Sequence, residues 1–249
     1  MIFDNGNLYR VKDIKCFHKI YGLLELHYGS KTPLIEVREE LKKAGISKRK
    51  DGRLTDPFEN LVMGILSQNT SDGNSAKAYI GLARRFKKIS PEVLAKARPS
   101  EIEKVIRPGG IYRNKARRIN DLAKIVLEKF KGNLKKIIIM SEKEARKELL
   151  ALPGIGQKTA DVFMGYCMNK DIIPIDTHIA RVAKRIGIAK SSLKYEEVQK
   201  SLSKVLPKRK RLRGHEYLIR LGRDFCLARK PLCEKCPIVS VCRKLDYKL

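Results

Sequence analysis

The sequence contains no tryptophan and only three glutamines among 249 residues, and aromatic residues make up 6 % of it. It is also short of acidic residues, with 27 Asp and Glu against 55 Lys and Arg, a formal net charge of +28. An excess of this size indicates a polyanionic partner, most often nucleic acid. A thermostable type of surface rich in charged pairs is the alternative. Both can hold, since 27 acids already allow pairing and the remaining positive charge is still unexplained.

Long apolar runs are absent as well. No stretch approaches the roughly 18 apolar residues of a membrane span, and the N-terminus lacks the basic-then-apolar layout of a signal peptide. No segment of any length alternates apolar and polar residues as a half-buried strand does, whereas apolar positions recur with the helical period almost throughout. The run Lys135–Met140 is the one β-prone exception, and it is interpreted as a linker. The sequence predicts an all-α, intracellular protein that does not enter a membrane.

The segment Leu152–Ala160 joins two amphipathic patterns through a glycine-rich turn. Upstream, Ser141 and Glu144 have the spacing of a capping box that opens the first helix. Gly154 and Gly156 are expected to supply backbone angles and close approach that other residues cannot. Backbone amides at the start of the second helix then form a pocket for an anion such as phosphate. Such a turn alone is usually only a helix C-cap.

A second segment, residues 173–179, follows and has Asp176 eighteen residues after Lys158. It reads Ile-Pro-Ile-Asp-Thr-His-Ile and places Asp176 as the N-cap of a further helix, which alone is an ordinary structural role. The two segments together, at this spacing, resemble the helix-hairpin-helix superfamily of DNA glycosylases and, within it, the endonuclease III family. The resemblance covers roughly residues 55 to 245.

This resemblance implies a fold and an activity. The fold is two helical domains: a six-helix barrel domain with the helix-hairpin-helix at 56–170, and an iron–sulfur cluster domain formed by 1–55 plus 171–249. The activity is that of a bifunctional DNA glycosylase and AP lyase of base excision repair, which removes oxidised pyrimidines of the thymine glycol type and cleaves 3′ of the abasic site by β-elimination. The alternatives are a mismatch glycosylase acting on uracil or thymine opposite guanine, a non-catalytic DNA-binding module, and an electron carrier.

By the same resemblance Lys158 is the nucleophile at the sugar C1′, and Asp176 stabilises the transition state and assists proton transfer. The start of a helix and a partly desolvated cleft both favour a neutral amine at Lys158. A further phosphate-binding lysine is the alternative interpretation of this residue.

Two other turns carry expected DNA contacts. Related enzymes fill the gap left by an extruded base with a polar residue after a core helix, here either Gln68 or Asn69. They also push an apolar residue into the duplex after a Pro-Gly turn, which makes Ile111 the wedge, with Tyr112 beside it and Lys115 on a phosphate. The alternative is that Ile111 and Tyr112 simply pack beneath the turn.

Four of the six cysteines lie near the end of the chain, with six, two and five residues between them. Zinc sites usually have two close pairs, and intracellular proteins seldom keep disulfides, so a cluster with four thiolate ligands fits this spacing best. It is also the spacing that the endonuclease III family uses for a [4Fe–4S] cluster. The predicted ligands are Cys226, Cys233, Cys236 and Cys242.

Basic residues surround this region. Arg229 and Lys230, in the loop between the first two cysteines, are expected to contact phosphate. The run 208–213 has five cations in six residues and is either a DNA-facing extension or a solvated linker. The expected partner is double-stranded DNA that contains damaged bases or abasic sites. The resemblance implies a monomer, and the expected setting is the nucleoid-associated cytoplasm of a prokaryote.

Overall fold

A computed structural model describes residues 11–29, 33–46, 54–190, 192 and 194–243. Within these residues the regular structure is helical and no strand occurs, so the all-α prediction is confirmed. None of the described helices is both long and apolar enough to cross a membrane. The helices are α1 Val11–Tyr28, α2 Pro33–Lys43, α3 Pro57–Leu66, α4 Asp72–Phe86, α5 Pro91–Lys96, α6 Pro99–Ile106, α7 Tyr112–Phe130, α8 Lys135–Ile138, α9 Glu142–Leu150, α10 Gln157–Cys167, α11 Thr177–Arg185, α12 Tyr195–Val205 and α13 Arg211–Asp224. Two short 3₁₀ helices are Arg107–Gly109 and Cys233–Lys235.

The contacts divide the chain into two compact units. The central unit comprises residues 33–170, and the terminal unit comprises residues 1–32 together with 171–249. Helix α2 packs on α4 and therefore belongs with the central unit. The correspondence of these units to the domains expected from the sequence stays a prediction.

Helix α3 begins with two buried residues, Pro57 and Phe58. Asp56 caps it, because its carboxylate accepts hydrogen bonds from the backbone N–H groups of Phe58 and Glu59, and Pro57 occupies the first turn. Its apolar side chains, among them Leu61, are fully enclosed by neighbouring helices. The following helices pack in sequence: α4 contacts α6, and α5 and α6 pack on α7. A core helix therefore ends at the polar turn 67–71.

Helices α9 and α10 are clamped by an ion pair. Arg146 Nη1 lies 2.6 Å from Asp161 Oδ1, and the Asp161 side chain is completely buried. A buried carboxylate needs such a partner, since removing one member of a buried pair costs about 3–5 kcal/mol. The relative position of the two helices on either side of the glycine-rich turn is thus fixed.

The terminal unit packs α1, α11, α12 and α13 around one apolar core. The basic run 208–213 contributes to this unit directly. Arg211 donates to the carbonyl oxygens of Asp171 and Ser203, and Arg213 donates to the carbonyl oxygen of Gly29 and to Glu216. These two arginines therefore do not belong to a solvated linker. They hold the ends of the unit together.

One local prediction was wrong. The stretch interpreted as a linker contains a one-turn helix, Lys135–Ile138, and Ile137 of this helix is buried in the core. At the turn after α3, Ser71 caps α4 by accepting a hydrogen bond from the N–H of Asn74, and Asp72 is the first helical residue.

Candidate functional site

The glycine-rich turn between α9 and α10 forms as the sequence predicts. Ser141 and Glu144 exchange hydrogen bonds in a capping box that opens α9. The chain then turns through residues 151–156, called the hairpin below, and α10 begins at Gln157. Ile155 is buried beneath the turn.

The two glycines of the hairpin have different reasons for being glycine. Gly154 has a φ of +77°, and a Cβ there would lie 3.0 Å from Cδ of Arg118, so both its conformation and its surroundings exclude a side chain. Gly156 has a φ of −95°, which any residue adopts, and a Cβ would meet nothing within 4 Å. The expectation of a special backbone is therefore correct for Gly154 and wrong for Gly156. The space beside Gly156 is open, and no side chain caps α10 there.

Lys158 occupies the first turn of α10 and is half-buried. Its neighbour Thr159 is buried and packs against α3, where a Cβ on Gly64 would lie 2.8 Å from the Thr159 methyl group. The helix start that carries Lys158 is therefore seated directly on the core helix α3.

Gln68 links the turn after α3 to the hairpin. Its side-chain Nε2 donates to the carbonyl oxygen of Gly154 at 2.8 Å and lies 3.5 Å from Thr159 Oγ1. Its Oε1 accepts a hydrogen bond of 3.2 Å from Arg118 on α7. The next residue, Asn69, is exposed and has a left-handed φ of 50°. Of the two residues expected to fill an extruded base's place, one is committed to the hairpin and the other projects into solvent.

Ile111 is the N-cap residue of α7 and has an unusual backbone conformation. Its φ is +46°, a conformation that is a genuine outlier for a β-branched residue, and its apolar side chain is 54 % exposed. The alternative that Ile111 packs beneath the turn is therefore wrong. Tyr112 is half-buried, and its ring lies between the guanidinium groups of Arg107 and Arg113, 5.6 and 5.9 Å from its centroid.

Lys115 corrects a prediction. Its side chain is buried, and its Nζ donates to the carbonyl oxygen of Leu66 at 2.7 Å and to that of Gly109 at 2.8 Å. Burial lowers its pKa to about 8. A lysine fixed in this way does not reach a phosphate. The sequence could not reveal this, because a buried and an exposed lysine on the same helix cannot be distinguished from the residue type alone.

In the terminal unit Asp176 caps α11, as predicted. Its Oδ1 accepts the N–H of Ile179 at 2.8 Å. The irregular chain before it is held by side chains: Gln199 donates to the carbonyl oxygen of Ile173, the N–H of Ile175 donates to Tyr195, and Nδ1 of the buried His215 lies 2.8 Å from the carbonyl oxygen of Pro174. These contacts fix the backbone that leads into Asp176.

The four C-terminal cysteines are all half-buried, and none of them forms a disulfide with another described residue. Burial raises the pKa of the Cys236 thiol, and the nearby thiols of Cys242, Cys226 and Cys233 raise it further. Among the described residues, no group of three or more His, Cys, Asp or Glu side chains is close enough to hold a metal ion. Four cysteine thiolates are the usual ligand set of an iron–sulfur cluster, so the chemistry of these donors fits one.

Arg185 of α11 binds the backbone of the loop that follows Cys226. This buried arginine donates to the carbonyl oxygens of Leu227 and Ala228 and lies 3.4 Å from Cys226 Sγ. Arg229 and Lys230 follow and are exposed, as expected for cations that contact DNA. Arg185 was missed from the sequence, since nothing distinguishes it from the other cations of so basic a chain.

These features define a helix-hairpin-helix protein with a cysteine-lined terminal unit, and comparison with known proteins identifies its family. Residues 62–208 match the model of the HhH-GPD superfamily base excision DNA repair proteins. Endonuclease III of Thermotoga maritima is 35 % identical over 188 residues, 76 % of this chain and 83 % of that protein. Endonuclease III of Sulfolobus acidocaldarius is 34 % identical over 212 residues, 84 % of this chain and 93 % of that protein.

Solved structures agree. A trapped covalent intermediate of endonuclease III with DNA superposes with a TM-score of 0.68 at 30 % identity, covering 91 % of this chain and 95 % of that one. A thermostable thymine-DNA glycosylase superposes with a TM-score of 0.63 at 25 % identity, covering 84 % and 94 %. The chain belongs to the HhH-GPD superfamily of base excision DNA repair proteins. It is a DNA glycosylase and AP lyase of the endonuclease III type, which sets aside the binding-module and electron-carrier alternatives.

Proposed function

We propose that this enzyme removes oxidised pyrimidines of the thymine glycol type from double-stranded DNA and then cleaves the strand 3′ of the abasic site. The single observation that carries the proposal is a half-buried lysine, Lys158, in the first turn of the helix that follows the hairpin. A lysine amine in this place provides a nucleophile for both steps.

The reaction assigned to Lys158 is covalent. Its Nζ forms a bond to the sugar C1′ while the N-glycosidic bond breaks and the base leaves with the bonding electron pair. One proton then passes from the nitrogen to the ring oxygen O4′ as the C1′–O4′ bond breaks, and this opening of the sugar gives a protonated Schiff base. A proton then leaves C2′, and the 3′ phosphate departs as β-elimination breaks the strand.

The role assigned to Asp176 is electrostatic stabilisation of the transition state. A carboxylate stabilises the positive charge that develops on the sugar as the base leaves, and it accepts and returns protons. Its hydrogen bond from the N–H of Ile179 uses one carboxylate oxygen and keeps the side chain at the start of α11. The same residue thus has a structural and a chemical function.

The exposed turns are assigned to the DNA. Asn69 fills the space left by the extruded base, since Gln68 is bound to the hairpin. Ile111 enters the duplex as the wedge, where its exposed side chain would be buried against bases. The amides at the start of α10 bind a backbone phosphate beside Gly156, where open space admits it. Arg229 and Lys230 bind further phosphates.

The four cysteines are assigned a [4Fe–4S] cluster. Cys226, Cys233, Cys236 and Cys242 would hold it, and it would fix the exposed loop between the first two ligands. Cysteine-to-serine change at Cys236 should remove iron and visible absorption. The same change at Cys167, which lies on α10 in the other unit, should preserve both. Retention of full iron content in the Cys236 variant would contradict the assignment.

The test of the activity is borohydride trapping. The protein is incubated with duplexes that contain thymine glycol, uracil opposite guanine, thymine opposite guanine, or an abasic site, and borohydride reduces any Schiff base to a stable bond. We expect a covalent band that is lost in Lys158→Ala and retained in Lys147→Ala, which changes an exposed lysine on the other helix of the hairpin. No band on any duplex would overturn the covalent mechanism.

The second candidate is a mismatch glycosylase acting on uracil or thymine opposite guanine. The similarity to a thermostable thymine-DNA glycosylase favours it. The same experiment decides between the two substrates, because a preference for the mismatched duplexes over thymine glycol would reverse our assignment.

We further infer that the enzyme acts as a monomer on chromosomal DNA in the cytoplasm of a prokaryote. The formal charge of +28 supports association with the nucleoid. Sedimentation with and without a lesion-containing duplex tests the oligomeric state, and a one-to-one complex is expected.

A further inference from the structure

Two exposed turns of the central unit begin at helix ends that lie close to each other. One follows the C-terminus of α3, and the other follows the short helix Arg107–Gly109. Gly109 is buried between them: a Cβ there would lie 3.2 Å from the Cβ of Ala78 and 3.9 Å from the carbonyl oxygen of Leu66. The contact with Leu66 would be an ordinary van der Waals contact, whereas the contact with Ala78 of α4 would be tight, so the backbone at position 109 lies against both helices.

Lys115 bridges the same two backbones. Its Nζ donates to Leu66, the last residue of α3, and to Gly109, the last residue of the 3₁₀ helix. A cation at the C-terminus of a helix interacts favourably with the helix dipole and supplies a donor for a carbonyl that has no partner within the helix. The bridge is enclosed, since the Lys115 side chain is buried. Water therefore does not compete for either of these hydrogen bonds.

The residues that shortly follow the two bridged carbonyl groups in the chain are the ones proposed to enter the DNA duplex. Asn69 lies three residues after Leu66, and Ile111 lies two residues after Gly109. Both have a left-handed φ, 50° and 46°, and both side chains are exposed. One buried ammonium group thus holds the base of both turns, and it determines the distance between them.

We propose that Lys115 is a positioning residue that holds the Asn69 turn and the Ile111 turn in one fixed arrangement, so that both enter the duplex together. The inference rests on the proposed function of these two turns. Because a single strand has no partner strand and no stack to open, a single-stranded abasic site needs neither residue. Lys115 should therefore matter for duplex DNA and not for the chemistry at C1′.

The experiment compares one oligonucleotide with an abasic site, alone and in duplex, under single-turnover conditions. Lys115→Met removes the ammonium group and keeps the apolar stem. Lys124→Met removes the same charge from an exposed position on the same helix and is the matched control. We expect Lys115→Met to lower the duplex cleavage rate by roughly tenfold or more, since a misplacement of about 1 Å can cost on the order of 10²-fold. Its single-strand rate and both rates of the control should stay within about twofold of the wild type.

A 2-aminopurine opposite the abasic site gives a readout independent of strand cleavage. Its fluorescence rises when the enzyme opens the stack, and we expect the rise to be lost in Lys115→Met and kept in Lys124→Met. Hydrogen exchange should also become faster at residues 67–70 and 109–112 in the Lys115 variant alone. If the methionine variant does not fold, Lys115→Gln is used, because its shorter side chain keeps a donor and does not span both carbonyls.

The outcomes separate this inference from the proposed function. An unchanged duplex rate and fluorescence in the Lys115 variant, or an equal loss on single-stranded and duplex DNA, overturns the positioning role. Absence of wild-type cleavage and trapping on both DNA forms overturns the proposed lyase mechanism instead. In that case the 2-aminopurine signal still tests whether Lys115 holds the two turns.

Discussion

The side-chain amide of Gln68 donates a 2.8 Å hydrogen bond to the backbone carbonyl oxygen of Gly154, although 86 residues separate them in the chain. The bond attaches the turn after α3 to the hairpin that precedes Lys158. Arg118 holds the other end of the same amide. The position of Lys158, the proposed nucleophile, therefore depends on a residue that the sequence predicts to contact DNA.

This arrangement predicts different results at two adjacent positions. Gln68→Ala should lower the free energy of unfolding by about 1 kcal/mol, the usual contribution of such a hydrogen bond, and should slow abasic-site cleavage in single-stranded and duplex DNA alike. Asn69→Gly keeps the left-handed backbone and should slow only the duplex reaction. Urea unfolding and single-turnover cleavage measure both. If Asn69→Gly left the duplex rate unchanged, the gap-filling assignment would be wrong.

Ile111 predicts a conflict between stability and activity. A β-branched residue at a φ of +46° carries strain of about 1–3 kcal/mol, which glycine relieves at some cost in chain entropy. Ile111→Gly should therefore raise the free energy of unfolding by about 0.5–1 kcal/mol while it slows cleavage of duplex abasic sites. The measurement is urea unfolding beside single-turnover kinetics.

The matched control is Lys131→Gly at the other end of the same helix, where φ is 53°. This variant should gain stability and keep its activity. Loss of stability in Ile111→Gly would show that the exposed side chain packs against the protein after all.

Burial of Lys115 predicts a pH dependence of stability. The lysine pKa falls from 10.5 to about 8 on folding, and burial is the cause. Below about pH 8 both states are protonated and the folded state bears the cost of the buried charge. Between about pH 8 and 10.5 the unfolded chain binds more protons, so the free energy of unfolding rises with pH.

Subtracting the free energy of unfolding of Lys115→Met from that of the wild type isolates this contribution from those of the other titrating groups. It should rise by about 2 kcal/mol between about pH 7.5 and 9.5, at up to about 1.4 kcal/mol for each pH unit. Urea unfolding at these pH values measures it. A constant difference would mean that the two carbonyl oxygens keep the ammonium protonated and that its pKa is not lowered.

The sequence predicted the features that depend on neighbouring residues. The capping box of Ser141 and Glu144 and the N-cap at Asp176 each depend on a contact with a residue three positions away. The helical period depends likewise on local spacing. The turn at Gly154 follows from a conformation that few residues other than glycine adopt.

Features that depend on distant contacts were not predictable. Lys115 looks like the exposed cations around it, and its burial depends on the end of α3, 49 residues earlier. Arg211 and Arg213 lie in a run that has the composition of a solvated segment, yet they bind carbonyl oxygens of Asp171 and Gly29. Charge and spacing alone carry no information about which cation finds a buried acceptor.

Substitutions at Asp176 can separate its structural role as a helix cap from its proposed role in catalysis. Asparagine caps a helix as well as aspartate does, so Asp176→Asn should change the free energy of unfolding by less than about 0.5 kcal/mol. Asp176→Ala removes the bond to the Ile179 N–H and should cost about 1 kcal/mol. Both lack the negative charge, and both should therefore release the damaged base more slowly by on the order of 10²-fold or more. The measurements are single-turnover base release and urea unfolding. Normal base release in the asparagine variant would reduce Asp176 to a helix cap and leave the charge on the sugar to be stabilised by another group.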